Sequence, residues 1–161
     1  MIRLLQVLTI LINITLFPVW LKADESYIPI LVPVTGFLSL EGTAQRNGAI
    51  QALDKAPINL NIKYEVSDTA TSPEVAVTAL HRALSRGQPA AIAAPIFGTQ
   101  MLAMLPIAKR ASVALITVSG TAKLTELNNP FIFRFFPGDS VVKVAHARYI
   151  HEVLGAKRPA L

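Results

Sequence analysis

The 161-residue chain contains no cysteine. No disulfide can form, so an exported form must rely on its core alone. The same absence argues against a lipid anchor, which needs a thiol at the processing site. Charge of one sign is not concentrated either. Lys and Arg number 15 against 10 Asp and Glu, and no basic run is interleaved with aromatics, so a nucleic-acid partner is not expected. Gly36 and Gly42 are not followed by Gly-Lys-Ser/Thr, and G-x-G-x-x-G is missing, which removes the two common phosphate cradles. His81, His146 and His151 lack metal-ligand spacing. Ser119 stands in V-S-G rather than in G-x-S-x-G. No catalytic residue, metal or cofactor is expected, and the chain reads as a binding protein rather than an enzyme.

What is present is apolar. Hydrophobic residues make up 52% of the chain, enough for one domain with its own core. The first stretch differs in kind. Met1-Ile2-Arg3 is a short basic start, Leu4 to Leu21 is almost wholly apolar, and Leu21-Lys22-Ala23 precedes Asp24-Glu25-Ser26. That layout predicts a signal peptide over residues 1–23, cleaved after Ala23. An uncleaved membrane anchor is the alternative, because the run is long enough to span; Gln6, Asn13 and Pro18 weaken it. Removal of Arg3 and Lys22 lowers the formal net charge of +5 by two. A soluble protein of a bacterial periplasm fits best.

Beyond residue 23 strands and helices alternate. Residues 28–34 read as a buried strand with Pro29 and Pro33 near its ends. A helix is expected over 43–55 from the spacing of Ala49, Ile50, Leu53 and Ala56. Residues 60–66 alternate like a strand. Ser72-Pro73-Glu74 is a helix start, with a capping hydroxyl, Pro at the first position and an acid in the first turn; Gly87 is placed to end that helix after Arg86. Strands are expected at 90–94 and 113–118. Between them residues 99–110 form a helix apolar nearly all round, which predicts burial, with Pro106 kinking it or loosening a turn. Residues 131–136 look extended. Asp139-Ser140 is expected to cap a last helix through Leu154, ended by Gly155, and Arg158 to Leu161 to begin a further strand.

Short apolar strands alternating with helices predict an α/β fold, a parallel sheet covered by helices on both faces. In such sheets ligands sit outside the carboxyl ends of the strands. Four of those ends carry small or hydroxyl residues: Thr35-Gly36, Ser67-Asp68-Thr69, Pro95-Ile96-Phe97-Gly98-Thr99 and Ser119-Gly120-Thr121. Taken singly each is a cap or a turn. Together they predict the floor of a site. Helix starts at Thr99 and near Thr43 would offer free N–H groups and a positive dipole end. The hydroxyls of Thr99, Ser119 and Thr121 would add donors for a carboxylate or amide oxygen. Gly98 and Gly120 would let a ligand approach the backbone.

Three segments in order carry a resemblance. VPVTGFLSLEGTAQRNGAIQAL (32–53) matches at Pro33, Thr35-Gly36, Gly42 and Asn47-Gly48-Ala49. PIAKRASVALITVSGTAKLTEL (106–127) and NPFIFRFFPGDS (129–140) supply the other two. Together they resemble the type I periplasmic binding proteins, the leucine/isoleucine/valine-binding family of transport receptors. The resemblance implies a Rossmann-like lobe and a small polar ligand, an amino acid, an amide or urea, held between two lobes. It also implies ABC transporter membrane subunits as partners. It places the ligand's carboxylate and amine contacts at Gly98-Thr99 and at Ser119, Gly120 and Thr121, with Glu41 flanking the cleft mouth. Gly98 stands where the family usually has serine, and Phe97 puts a large ring at the pocket edge. Because the family has two lobes, residues 24–161 are expected to be an incomplete N-terminal lobe, a fragment or a truncated product. A ligand-sensing lobe of a receptor and a product without binding activity are the competing expectations.

Overall fold

The computed structural model describes residues 25–158, and its first strand begins where the apolar run SYIPILV does. The expected signal peptide over 1–23, and all but Arg158 of the expected strand at 158–161, lie outside the described residues. The elements are β1 (Ser26–Val32), α1 (Ser39–Asp54), a 3-10 turn (Ile58–Leu60), β2 (Ile62–Asp68), α2 (Pro73–Arg86), β3 (Ile92–Ala93), α3 (Gly98–Ala111), β4 (Leu115–Thr117), α4 (Lys123–Glu126), β5 (Ile132–Arg134) and α5 (Asp139–Arg148). A π-helical stretch, Tyr149–Val153, continues α5. All strand pairs are parallel, in the order β2-β1-β3-β4-β5.

Local chemistry sets the clearest boundaries. Ser72 caps α2 by accepting from the Val75 amide at 3.3 Å, Pro73 is its first residue, and Gly87 follows Arg86 at its end. The helix α3 runs unbroken from Gly98 to Ala111 through Pro106, which lies on an exposed side. Ser112, in the left-handed region at φ 52°, ends it. Other expectations shift. The first helix starts at Ser39, four residues before Thr43, with Leu38 before it and no side-chain cap. The extended residues 131–136 supply β5, a true fifth strand against β4. The last helix is capped not by Asp139 but by Gly138, which is extended and lends no side chain.

The two sheet faces differ. On one face Leu31, Ile92 and Leu115 are fully buried, packed with Ala76, Ala79 and Leu80 of α2 and Met101, Met104 and Ala108 of α3. On the other face the register aligns Ile30, Ala93, Ile116 and Phe133 in one row. Exposure rises along that row away from α1, from 0% at Ile30 to 39% at Ile116 and 50% at Phe133. Helix α1 therefore shields the β1 side of its face and leaves β4 and β5 open. Its close fit to β1 depends on Gly42, where a Cβ would collide with the Pro33 carbonyl. Helix α5 and the π-helical stretch bury no residue, and Val141, Val144, Tyr149 and Val153 stay exposed.

Candidate functional site

The strand order makes β1 and β3 neighbours although β2 lies between them in sequence, so the chain leaves their carboxyl ends in different directions. A crevice at such a switch point is where ligands bind in open α/β sheets. Here the β1 end leads into Thr35-Gly36-Phe37 and the β3 end into Pro95-Ile96-Phe97. Phe37 and Phe97 meet edge to face across it, ring centroids 5.3 Å apart at 88°. Phe37 is 74% exposed. Sequence reasoning selected Phe97 and missed Phe37; a large ring directly after a Thr-Gly turn was its only signal.

Four side chains brace the loops. The Asp68 carboxylate, at the end of β2, accepts from the amides of Val34 (2.9 Å), Thr35 (3.2 Å) and Ala70 (2.8 Å) and from the Thr35 hydroxyl (2.5 Å). Desolvation raises its pKa, but the hydrogen bonds to the charged form from Thr35, Ala70 and Val34 outweigh that and hold it below the usual carboxylate range. Asp68 thereby fixes a loop in which Ala70 and Thr71 lie consecutively in the left-handed region, at φ 48° and 53°. Such residues cost on the order of 1–3 kcal/mol each and persist only when their surroundings over-determine them. Thr71 helps by donating to the Thr35 carbonyl at 3.0 Å. Gln45 of α1 donates to the Ala94 carbonyl at 2.6 Å and accepts from the Ile96 amide at 3.1 Å, pinning the start of the β3–α3 loop. The buried Gln100 of α3 donates to the carbonyls of Thr69 (2.9 Å) and Ser72 (3.1 Å).

The expected site residues fall into three groups. Gly98 and Thr121 are brought into contact: a Cβ on Gly98 would collide with the Thr121 hydroxyl. Thr121 is linked to Ser119 by a hydroxyl pair at 3.4 Å, and the Ser119 amide donates to Thr117 Oγ1 at 3.0 Å. Ser119 is fully buried, while Gly120 and Thr121 are half-buried. Thr99 is exposed on the first turn of α3, whose N-cap residue Phe97 offers no side-chain bond, so the first amides of that helix have no capping side chain. Glu41 belongs elsewhere. It sits in the first turn of α1 and borders, with Gln45, Ile96, Ile116, Val118 and Phe135, an apolar groove on the open sheet face. That groove holds about 560 Å³. The earlier start of α1 also moves its N-terminal amides from Thr43 to the turn at Ser39. Among the described residues no cluster of three His, Cys, Asp or Glu could hold a metal ion. No described helix is long and apolar enough to cross a membrane.

The chain is thus an α/β lobe whose parallel sheet carries hydroxyls, glycines and an uncapped helix start on its carboxyl edge, the side on which ligands sit in open α/β sheets. A family model described as periplasmic binding protein matches residues 25–161, and the chain belongs to that family, in its type I, leucine/isoleucine/valine-binding-like branch. No curated protein matches. Among solved structures, a leucine-binding protein from Thermotoga maritima superposes with a TM-score of 0.76 at 27% identity, over 83% of this chain and 39% of that one. A branched-chain amino acid transporter substrate-binding protein from Streptococcus pneumoniae, in complex with isoleucine, gives 0.74 at 22%, over 83% and 40%. A solute-binding protein of an ABC transporter from Rhodopseudomonas palustris, in complex with 3,4-dihydroxybenzoic acid, gives 0.72 at 21%, over 81% and 37%. The last two, below 25% identity, speak to the fold alone. The chain spans about two fifths of the length of these relatives.

Proposed function

We propose that the chain is the N-terminal lobe of the solute-binding component of an ABC transporter for branched-chain amino acids or related small polar solutes such as amides and urea. On this reading residues 1–23 direct export to the periplasm and residues 24–161 carry the first half of the cleft. The observation that supports it best is the edge formed by Gly98, Thr99, Ser119, Gly120 and Thr121. An uncapped helix start and two linked hydroxyls converge there. Amide N–H groups and hydroxyls at a helix N-terminus suit a carboxylate or amide oxygen. Phe97 and Phe37 supply an apolar wall for the remainder of the solute. The relative named for leucine, at 27% identity, favours the branched-chain amino acids first.

Calorimetric titration of the full chain with leucine, isoleucine, valine, acetamide and urea tests the reading. Saturable binding of one of them, weakened by Thr121→Ala, is the expected result. A lobe that binds none of the panel overturns it for this chain. A second reading, a lobe without binding activity of its own, draws support from Ser119, which is fully buried and turns its hydroxyl toward Thr121. A silent titration favours that one.

A further inference from the structure

The loop Ser119-Gly120-Thr121 is tied to its own strand through Thr117 and also to the segment through which the chain leaves β5. Arg134 ends β5 and is paired in register with Thr117, the last residue of β4. Its guanidinium reaches past the strand ends. Nη1 donates to the Thr121 carbonyl at 3.1 Å, and Nη2 donates to the Thr125 hydroxyl of α4 at 2.5 Å. Four residues on, Gly138 lies against the same guanidinium, where a Cβ would stand 2.9 Å from Nη2 and 3.3 Å from Cζ. The next residue closes the circuit, since the Asp139 amide donates to the Gly120 carbonyl at 2.6 Å. Two consecutive carbonyls of the loop, Gly120 and Thr121, are thus tied to residues 139 and 134. Glycine at 120 makes the second tie possible, because a Cβ there would collide with the Asp139 carboxylate.

We propose that Arg134 is a positioning residue, which locks the Ser119–Thr121 loop to the exit segment 135–139 and so fixes where the Thr121 side chain rests on Gly98. The proposal deepens the binding-lobe reading and rests on it for the role of the loop. The guanidinium suits the task for a chemical reason. It is planar, stays charged, and presents several donors in a fixed fork, so a carbonyl, a hydroxyl and a glycine can be held in one geometry. A lysine ammonium is a single point of attachment on a flexible stem and restores only part of the arrangement. Arg134 is outside the apolar core on α2 and α3. A movement of residues 135–139 is passed through Arg134 to Thr121, and from Thr121 to the start of α3.

Amide hydrogen exchange of the full chain, followed residue by residue by NMR without any solute, tests this. In Arg134→Gln, exchange should accelerate about tenfold or more, the equivalent of about 1.4 kcal/mol, at residues 119–125 and 135–142 together. Amides of α2, and of α3 beyond its first turn, should keep their wild-type rates. Arg134→Lys should restore part of the protection in both segments. Thr125→Ala, which removes one anchor without touching the exit segment, should reproduce a smaller coupled effect and serves if Arg134→Gln does not fold. Acceleration in one segment only, or spread evenly into α2 and the body of α3 beyond its first turn, overturns the proposal, as does Arg134→Lys behaving like Arg134→Gln. Because the readout needs no solute, its result is independent of the titration with isoleucine, whose failure would strike the binding-lobe reading instead.

Discussion

The Thr121 side chain occupies the space that a Cβ on Gly98 would need. The two residues come from different strand–helix turns, yet each presupposes the other. Glycine at the start of α3 lets Thr121 bring its hydroxyl against the first turn of the helix.

Gly98→Ala should therefore overpack the edge and destabilise the fold by about 1–3 kcal/mol. Thr121→Gly in the same chain should recover most of the loss. Urea unfolding of the wild type, both single variants and the double variant measures the coupling, and strict additivity of the two changes would rule the contact out.

Gln45→Leu keeps the bulk of the side chain and leaves the Ala94 carbonyl and the Ile96 amide without their partner. A buried group left unpaired costs about 1–3 kcal/mol. The expected loss is of that size, accompanied by faster amide exchange at Ile96 and Phe97. An unchanged denaturation midpoint would show that water replaces the glutamine at no cost.

The depressed pKa of Asp68 gives a pH dependence with a definite sign. A carboxylate whose folded-state pKa lies below its unfolded value stabilises fully above the unfolded pKa, about 3.9. That contribution fades as pH falls through the lower, folded value. The urea midpoint of the wild type should thus fall on acidification below about pH 4. Asp68→Asn should start from a lower midpoint at pH 7 and show a shallower acid decline. Parallel curves for the two proteins would place the acid sensitivity elsewhere.

Leu80 is fully buried between the sheet and α3. Leu80→Ala should cost about 2–5 kcal/mol, the range for truncating such a side chain. Ile116→Ala, on the open face at 39% exposure, should cost clearly less. Thermal unfolding of the two variants side by side checks the contrast between the faces.

If residues 1–23 are a signal peptide cleaved after Ala23, Asp24 becomes the first residue of the processed chain. Mass spectrometry of protein recovered from the periplasm should find that terminus. Material retaining Met1 in the membrane would favour the anchor instead.

The sequence by itself determined the elements whose signals lie within a few residues. Ser72-Pro73-Glu74 opens α2 because cap, proline and acid act on one turn of helix. The apolar strands and the small residues at their ends placed hydroxyls and glycines along one edge of a parallel sheet, because carboxyl ends share one side by topology alone. Three family motifs added the branch of the fold. Only the tertiary structure decided which of those residues meet. Leu38, the residue before α1, offers no capping side chain, so the start of α1 is set by packing such as that of Gly42 under Pro33. Asp68 and Thr35 are 33 residues apart and join only because β1 and β2 pair in one register. Glu41 falls into the apolar groove of the open sheet face, while Arg134, an ordinary strand-end charge in sequence, reaches the Thr121 carbonyl. Periodicity and capping are properties of adjacent residues, whereas close approach between loops depends on strand register and helix packing that no single segment encodes.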